Sequence, residues 1–525
     1  MIIVLLGIIA LLLTLKFRNV GMLQKQRSQR ELPGPPSLPI IGNLLDFRKG
    51  VLHLHLTRLA KAFGPIYRLR LWSQDIVVLN TTELIKEALV KRSADFAGRP
   101  LTFVGNFISF GGKDLALGDY TITWKTQKKL AHSAMQWCRT TTLEAVVVGE
   151  AQKLCEDILF TREPTLAQTY LELIRMKANG LSQHISDQVF QSYKGAPVDP
   201  TTDLSMSVCN VISSLIFGTT YEKNDDEFQD IHDCILTLVK LFGSPSIDHI
   251  EMFPLLQWKD FQQAVDKRDS FVRQQIRRHK ETFQKGKLRD VMDVLMKSIW
   301  DRDKGTSEFG EITEEHIHMV IVDMFIGGTE TVSSTLSWVI AFLIHRPEIQ
   351  DRIYSEMCEV VGADQYPTYK DKQNLPLLNA TIAEILRLCP VLPLSLFHRT
   401  TCDTSVAGYF IHKGTDIITN IFAAHQDESK WTEPTHFRPE RFLEAADTEN
   451  RMQNLVPFGA GMRTCLGETV ARVELFAFIA HLLKDFHFLP AKVGECPDLH
   501  KQHGILLKVK PYRVSMVPRS AHRHE

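Results

Sequence analysis

The sequence predicts a mainly α fold with a small β part, built as one large domain behind an N-terminal membrane anchor. Three observations lead there. Several stretches carry helical apolar periodicity while strand patterns stay short; no Ser/Gly-rich linker or charge block divides the 525 residues; and the first fifteen residues are almost wholly apolar.

The apolar run MIIVLLGIIALLLTL would reach only about 23 Å as a helix against a hydrocarbon core of about 30 Å. Phe17, Val20, Met22 and Leu23 can finish the span while Lys16 and Arg18 snorkel. Five basic residues and no acid lie between Lys16 and Arg30, which puts that side in the cytoplasm. A cleaved signal peptide fits less well, because no basic region precedes the run and no small-x-small site follows it. Residues 1–23 are thus expected as the anchor and 24–40 as a basic, proline-rich hinge. Pro33, Pro35 and Pro36 remove donors and fix φ, giving a stiff tether. The domain is expected over 41–518, with an unstructured tail at 519–525.

Within the domain, helical periodicity predicts helices at Leu84–Arg92, Tyr120–Met135, Asp260–Gln284, Glu314–His345, Pro347–Val361, Leu377–Leu388 and Leu466–Phe486. Strand patterns are IYRLRL at 66–71, IVVLN at 76–80, and SVAGYFI and GTDIITNI between Ser405 and Ile421. Lys+Arg and Asp+Glu balance at 61 each, so no global electrostatic case exists for nucleic acid, and 44% hydrophobic content supports one large core. Nine cysteines show no CxxC and an odd count, which argues against a disulfide framework or a zinc site. All but one read as small buried hydrophobes.

The exception is Cys465 in FGAGMRTCLG, Phe458 to Gly467. Gly459, Gly461 and Gly467 allow a tight loop whose N–H groups approach a sulfur, and the helix that follows favours a thiolate at its N-terminus. Arg463 supplies a cation for a nearby carboxylate. The loop alone fits either a haem iron site with acidic side groups or a structural glycine-rich turn. Upstream, GGTET interrupts the long helix 314–345. At about 100° per residue, Asp323, Gly327, Glu330 and Thr331 share about a third of the circumference, one stripe able to face a ligand. Adjacent glycines in a helix interior cost about 1 kcal/mol each relative to alanine and call for a reason such as close approach of a cofactor.

Together these residues resemble the cytochrome P450 family, the haem-thiolate monooxygenases. The family's F-x-x-G-x-R-x-C-x-G loop is matched by Phe458, Gly461, Arg463, Cys465 and Gly467. The resemblance implies a cytochrome P450 fold and haem b whose iron takes the Cys465 thiolate. Glu384 and Arg387 of EILR, with Arg441 of FRPERF, look like the family's structural Glu-Arg-Arg network. Glu330 and Thr331 become the catalytic pair for oxygen activation. Trp124, Lys128, Arg463 and His398 become partners of the haem carboxylates, with lysine at 128 in place of the usual arginine, a point charge without the bidentate fork. The anchor resembles the microsomal class, held in the endoplasmic reticulum membrane with the catalytic domain facing the cytoplasm. Electrons would come from NADPH through a separate NADPH-cytochrome P450 reductase, since no flavin or nicotinamide module is visible. Lys125 and Lys129 read either as part of its docking surface or as a solvated basic face.

FGPIYRLRL, SADFAGRP, LALGDY, WKTQKKL, DKRDSFV and LPLLNATIAEILRL further resemble the family's steroid 21-hydroxylase branch, with the steroid 17α-hydroxylase/17,20-lyase branch as a sibling. That implies hydroxylation at C21 of progesterone and 17-hydroxyprogesterone. Arg268 would donate to the steroid C3 ketone, and Val322, Asp323 and Gly327 would line the steroid cavity. A reading from another class is a non-catalytic haem or sterol carrier, which need not keep the Glu330-Thr331 pair. Residues 160–192 have no counterpart in this resemblance. A solvent-exposed insertion, which costs only about 0.6 kcal/mol per doubling of loop length, and a retained intron in a gene model both account for them.

Overall fold

The computed structural model describes residues 31–47, 51–160, 197–222, 224–242, 257–284, 286–303, 311–444, 448–492, 494–500 and 504–519. The expected anchor lies outside the described residues, as does the unmatched segment beyond Phe160. Among the described residues no helix is long and apolar enough to cross a membrane.

Eleven described helices have twelve or more residues: α1 (Leu52–Phe63), α2 (Ile122–Thr141), α3 (Leu143–Phe160), α4 (Thr201–Phe217), α5 (Asp226–Phe242), α6 (Gln257–Thr282), α7 (Val291–Asp303), α8 (Glu314–Ile344), α9 (Pro347–Val361), α10 (Pro376–Leu388) and α11 (Glu468–Asp485). Helix α8 is the axis of the core. It is buried along most of its 31 residues and packs against α4, α6, α10 and α11. Its start is fixed by a capping box in which Thr313 and His316 satisfy each other's backbone donors, with Glu314 and Glu315 complementing the helix dipole. Its end is set by Pro347, which starts α9 where a missing donor costs nothing.

The β part is a four-stranded sheet, a hairpin and a two-stranded pair. In the sheet, ordered β1-β2-β6-β3, β1 (Ile66–Leu71) pairs antiparallel with β2 (Gln74–Leu79), β2 parallel with β6 (Asp416–Thr419), and β3 (His398–Arg399) antiparallel with β6. SVAGYFI, expected as one strand, is a hairpin of β4 (Thr404–Val406) and β5 (Tyr409–Ile411). Ala407 and Gly408 both take positive φ, 52° and 76°, as a two-residue turn matching the strand twist requires. β7 (Phe486–Pro490) pairs with β8 (Val514–Pro518).

Several boundaries differ from expectation; the helix expected at Tyr120–Met135 runs Ile122–Thr141, and those expected at Asp260–Gln284 and Leu466–Phe486 run Gln257–Thr282 and Glu468–Asp485. The helix expected at Leu84–Arg92 is α-helical only over Thr82–Lys86 and continues as a π-helical turn, Glu87–Lys91. The proline segment is not wholly a tether: Pro33 O accepts from Arg68 N at 2.8 Å, and the Gly34 backbone sits so close to β1 that a Cβ there would lie 2.1 Å from Arg68 O. Arg519, assigned to the tail, is buried, donating to Phe486 O at 3.0 Å and Asp351 at 3.1 Å.

One buried group works against the fold. Glu474 on α11 is fully buried and neither carboxylate oxygen has a hydrogen-bond partner among the described residues, so burial holds its pKa well above the usual range. The folded state therefore keeps a proton that the unfolded chain releases. Stability is lost as pH rises from the ordinary carboxylate range through the raised folded value. Glu474→Met should stabilise the protein by about 1–3 kcal/mol at neutral pH and flatten this part of the pH profile. Unfolding midpoints across the acid-to-neutral range, wild type against variant, check it; parallel profiles would contradict the assignment.

Candidate functional site

The cysteine loop is shaped by close backbone approach. Gly461 has φ 68°, and a Cβ there would fall 1.5 Å from Leu89 O, so the loop lies directly on the π-helical turn. Cys465 N donates to Phe458 O at 2.9 Å and closes the loop; α11 begins three residues later. Cys465 is accessible although protein surrounds it, which places its sulfur at an internal opening. Burial raises its thiol pKa despite the backbone N–H groups of Gly467 and Glu468. Without a metal the thiol is favoured, against the expectation from the helix N-terminus, and metal coordination would yield the thiolate.

Helix α8 contributes an accessible strip within an otherwise buried element. Asp323 and Thr331 are partly accessible, Gly327 between them is exposed, and a Cβ on Gly327 would meet nothing within 4 Å. Gly328 has a different cause: its Cβ would lie 2.5 Å from Ile212 Cδ1, so α4 packs there. Thr331 Oγ1 donates to Gly327 O at 2.7 Å. Glu330 departs from the expected stripe. It is buried, its Oε1 accepts from Ser205 Oγ at 2.8 Å, its Oε2 is ion-paired with Lys508, and Ser205 Oγ meets His232 Nε2 at 2.7 Å. An angular offset of about 60° on the helical wheel separates Glu330 from the Gly327–Thr331 line, and neighbouring α4 captures it. Val322 packs into the main core.

Around the cysteine loop the structure gathers cations. Arg463 donates to Ala97 O, Leu115 O and Gly118 O at 2.7–3.0 Å and its guanidinium lies 3.8 Å over the Trp124 ring. Trp124 Nε1 donates to Leu115 O at 3.1 Å, and Lys128 donates to Met462 O in the loop. His398 is buried on β3, its Nδ1 2.9 Å from Phe96 O. Arg99 joins them, donating to Ala116 O, Leu396 O and Phe397 O. Burial, and then mutual repulsion, lowers Arg463 to about 9, depresses Lys128 and holds His398 well below its usual value. Arg99, lowered to about 10, is pushed down by burial alone. Asp114 nearby has its pKa raised to about 6 by burial, and its Oδ1 has no hydrogen-bond partner among the described residues. Such a cluster favours an added anion.

The Cytochrome P450 family profile matches residues 32–163 and 159–516. The chain is a cytochrome P450. It is 39% identical over 521 residues to the steroid 21-hydroxylase of Bos taurus, covering 97% of this chain and 96% of that one. The Homo sapiens steroid 21-hydroxylase is 38% identical over 507 residues, covering 94% of each. A zebra fish cytochrome P450 solved with progesterone superposes with a TM-score of 0.74 at 32% identity, covering 89% of this chain and 99% of that one.

The residues of this P450 fit a haem: a single soft ligand faces an opening, and excess buried positive charge beside it suits two carboxylates. Cys465 would hold the iron; Arg99, Trp124, Lys128, His398 and Arg463 would hold the carboxylates. Arg99, in SADFAGRP, was not singled out as a site residue by sequence reading, because a lone arginine before proline carries no spacing signal; only the fold brings it beside Arg463. Glu384, Arg387 and Arg441 lie together and fully or nearly fully buried behind the loop. Arg268, on α6, is also buried and makes an ion pair with Asp269. Lys125 and Lys129 are exposed on α2.

Proposed function

We propose that this P450 is a microsomal steroid 21-monooxygenase, hydroxylating C21 of progesterone and 17-hydroxyprogesterone with electrons from NADPH-cytochrome P450 reductase. The observation that carries the reading is the buried Arg268 beside the accessible strip of α8, a charged donor available to a ketone at the far end of a flat apolar ligand. Similarity to curated steroid 21-hydroxylases over nearly the full length supports the position oxidised. The apolar run at residues 1–15 supports residence in the endoplasmic reticulum membrane, and the exposed Lys125 and Lys129 suit an acidic electron donor.

When bound, the haem supplies reductive activation of dioxygen, so that one oxygen atom enters a C–H bond and the other leaves as water after uptake of two electrons and two protons. The chain's own residues hold and orient. Cys465 would hold the metal as a soft anionic ligand and supply it with electron density. Gly327 leaves open space on the accessible strip of α8, Thr331 places a hydroxyl at the edge of that space, and the largely apolar α8 would limit water there. Behind the strip Glu330 is held by Ser205 and Lys508, a carboxylate that would serve a proton path.

Turnover of progesterone with purified reductase and NADPH tests this. The expected result is a 21-hydroxyl product that requires both reductase and NADPH. A 17α-hydroxyl product would move the chain to the sibling activity, and tight steroid binding without turnover would make it a carrier.

A further inference from the structure

Arg268 is one member of a buried trio. Asp269, beside it on α6, is also buried; its Oδ1 accepts from Arg268 Nε at 2.8 Å and from His318 Nε2 at 3.0 Å, and it lies 2.7 Å from Arg268 Nη2 as an ion pair. His318 belongs to α8, so this one carboxylate ties the two helices together. Arg268 Nη2 also donates to Ile108 O at 2.9 Å, bringing in the short helix Phe103–Ile108. Arg268 Nη1 makes no hydrogen bond among the described residues, which leaves one edge of the guanidinium for a ligand.

The guanidinium is met directly by a carboxylate on the same helix. Asp323 follows His318 by five residues on α8; its Oδ2 accepts from Leu115 N at 2.6 Å, and burial raises its pKa well above the usual range. Cys234 on α5 stays a thiol, pushed up to about 11 by burial. Among the described residues Asp269 is the carboxylate in direct contact with the guanidinium. A donor whose charge is already met attracts a neutral acceptor through hydrogen-bond geometry and gives an anion no net Coulombic gain for its desolvation.

We propose that Asp269 and His318 are positioning residues that fix the Arg268 donor and cancel its charge, so that this site takes a neutral carbonyl and rejects an anionic group at the same place. The inference rests on the steroid reading above and deepens it from a substrate shape to a substrate charge class, unconjugated ketones over sulfated analogues.

The test is equilibrium binding to the holoenzyme, read by the absorbance change on ligand entry, with three probes: progesterone, its analogue lacking the C3 oxygen, and a pregnane 3-sulfate. Wild type should bind progesterone about ten-fold or more tighter than the deoxy analogue, with the sulfate weakest. Asp269→Asn should move the ketone-to-sulfate affinity ratio about ten-fold or more toward the sulfate, because the guanidinium is left uncompensated. His318→Gln, which keeps an N–H donor for Asp269, should retain ketone discrimination, whereas His318→Phe should reduce it several-fold. A merely structural role would change haem content and leave these ratios unmoved. Wild-type discrimination with ratios unchanged in Asp269→Asn and His318→Phe would overturn this inference and spare the ketone reading. Equal binding of ketone and deoxy analogue by wild type would overturn both. If Asp269→Asn is recovered without haem, the contrast between the two His318 variants decides.

Discussion

Cys465→Ser should lose the red-shifted Soret band of the reduced, carbon-monoxide-bound protein and, with it, monooxygenase turnover, while the fold persists. The sulfur is accessible at an internal opening, and the loop is held by Cys465 N donating to Phe458 O, by Gly461 against Leu89 O and by Arg463 on three carbonyls. None of these depends on the side-chain atom changed. A serine hydroxyl is a hard, weakly acidic ligand and cannot supply the soft anionic donor that shifts the band and favours O–O cleavage. The measurement is the reduced carbon-monoxide difference spectrum beside a circular dichroism spectrum of the same sample. A retained band in folded protein would mean that another residue ligates the iron.

What was legible in the sequence divides by physical cause. Helices with one apolar face on a polar background, such as Pro347–Val361, appear where periodicity puts them. Helix α4 is buried nearly all round, so it shows no stripe for periodicity to find. β7 and β8 pair residues nearly thirty positions apart, a partnership that no local pattern announces. In the site, residues in a short spaced motif, such as Arg463 and Cys465, can be read directly. Residues whose role depends on a neighbouring element cannot: Arg99 acquires its role from the cysteine loop, and Glu330 is turned from its expected stripe by Ser205 and Lys508. The wheel gives directions around one helix, and the neighbour decides which polar side chain finds a partner.

Glu384→Gln should yield protein that is largely haem-free or insoluble, the largest stability loss expected from a single change outside the cysteine loop. Glu384 and Arg387 are fully buried and Arg441 nearly so. Arg387 reaches both carboxylate oxygens at 2.8 and 2.9 Å, Arg441 Nε reaches Oε1 at 3.1 Å, and Arg438 N donates to that oxygen at 2.9 Å. The rest of both guanidiniums is spent on carbonyls: Arg387 on His425 and Pro434, Arg441 on Thr432, Glu433 and His436. This pins the stretch that leads to the cysteine loop. The link continues forward, because His425 Nε2 accepts from Val456 N at 2.9 Å, two residues before Phe458. Glutamine keeps the shape but leaves two buried cations without a counter-charge, a loss of about 3–5 kcal/mol. Arg387→Lys should fail almost as badly, since a point charge cannot serve two carboxylate oxygens and two carbonyls at once. Lys297→Ala, which removes an exposed i,i+4 pair with Asp301, is the control and should shift stability by about 0.5 kcal/mol or less. Soluble yield and haem-to-protein ratio of the three variants, expressed side by side, decide the matter; a Glu384→Gln protein with a full haem complement and an unchanged unfolding midpoint would show that the backbone carbonyls alone hold both arginines.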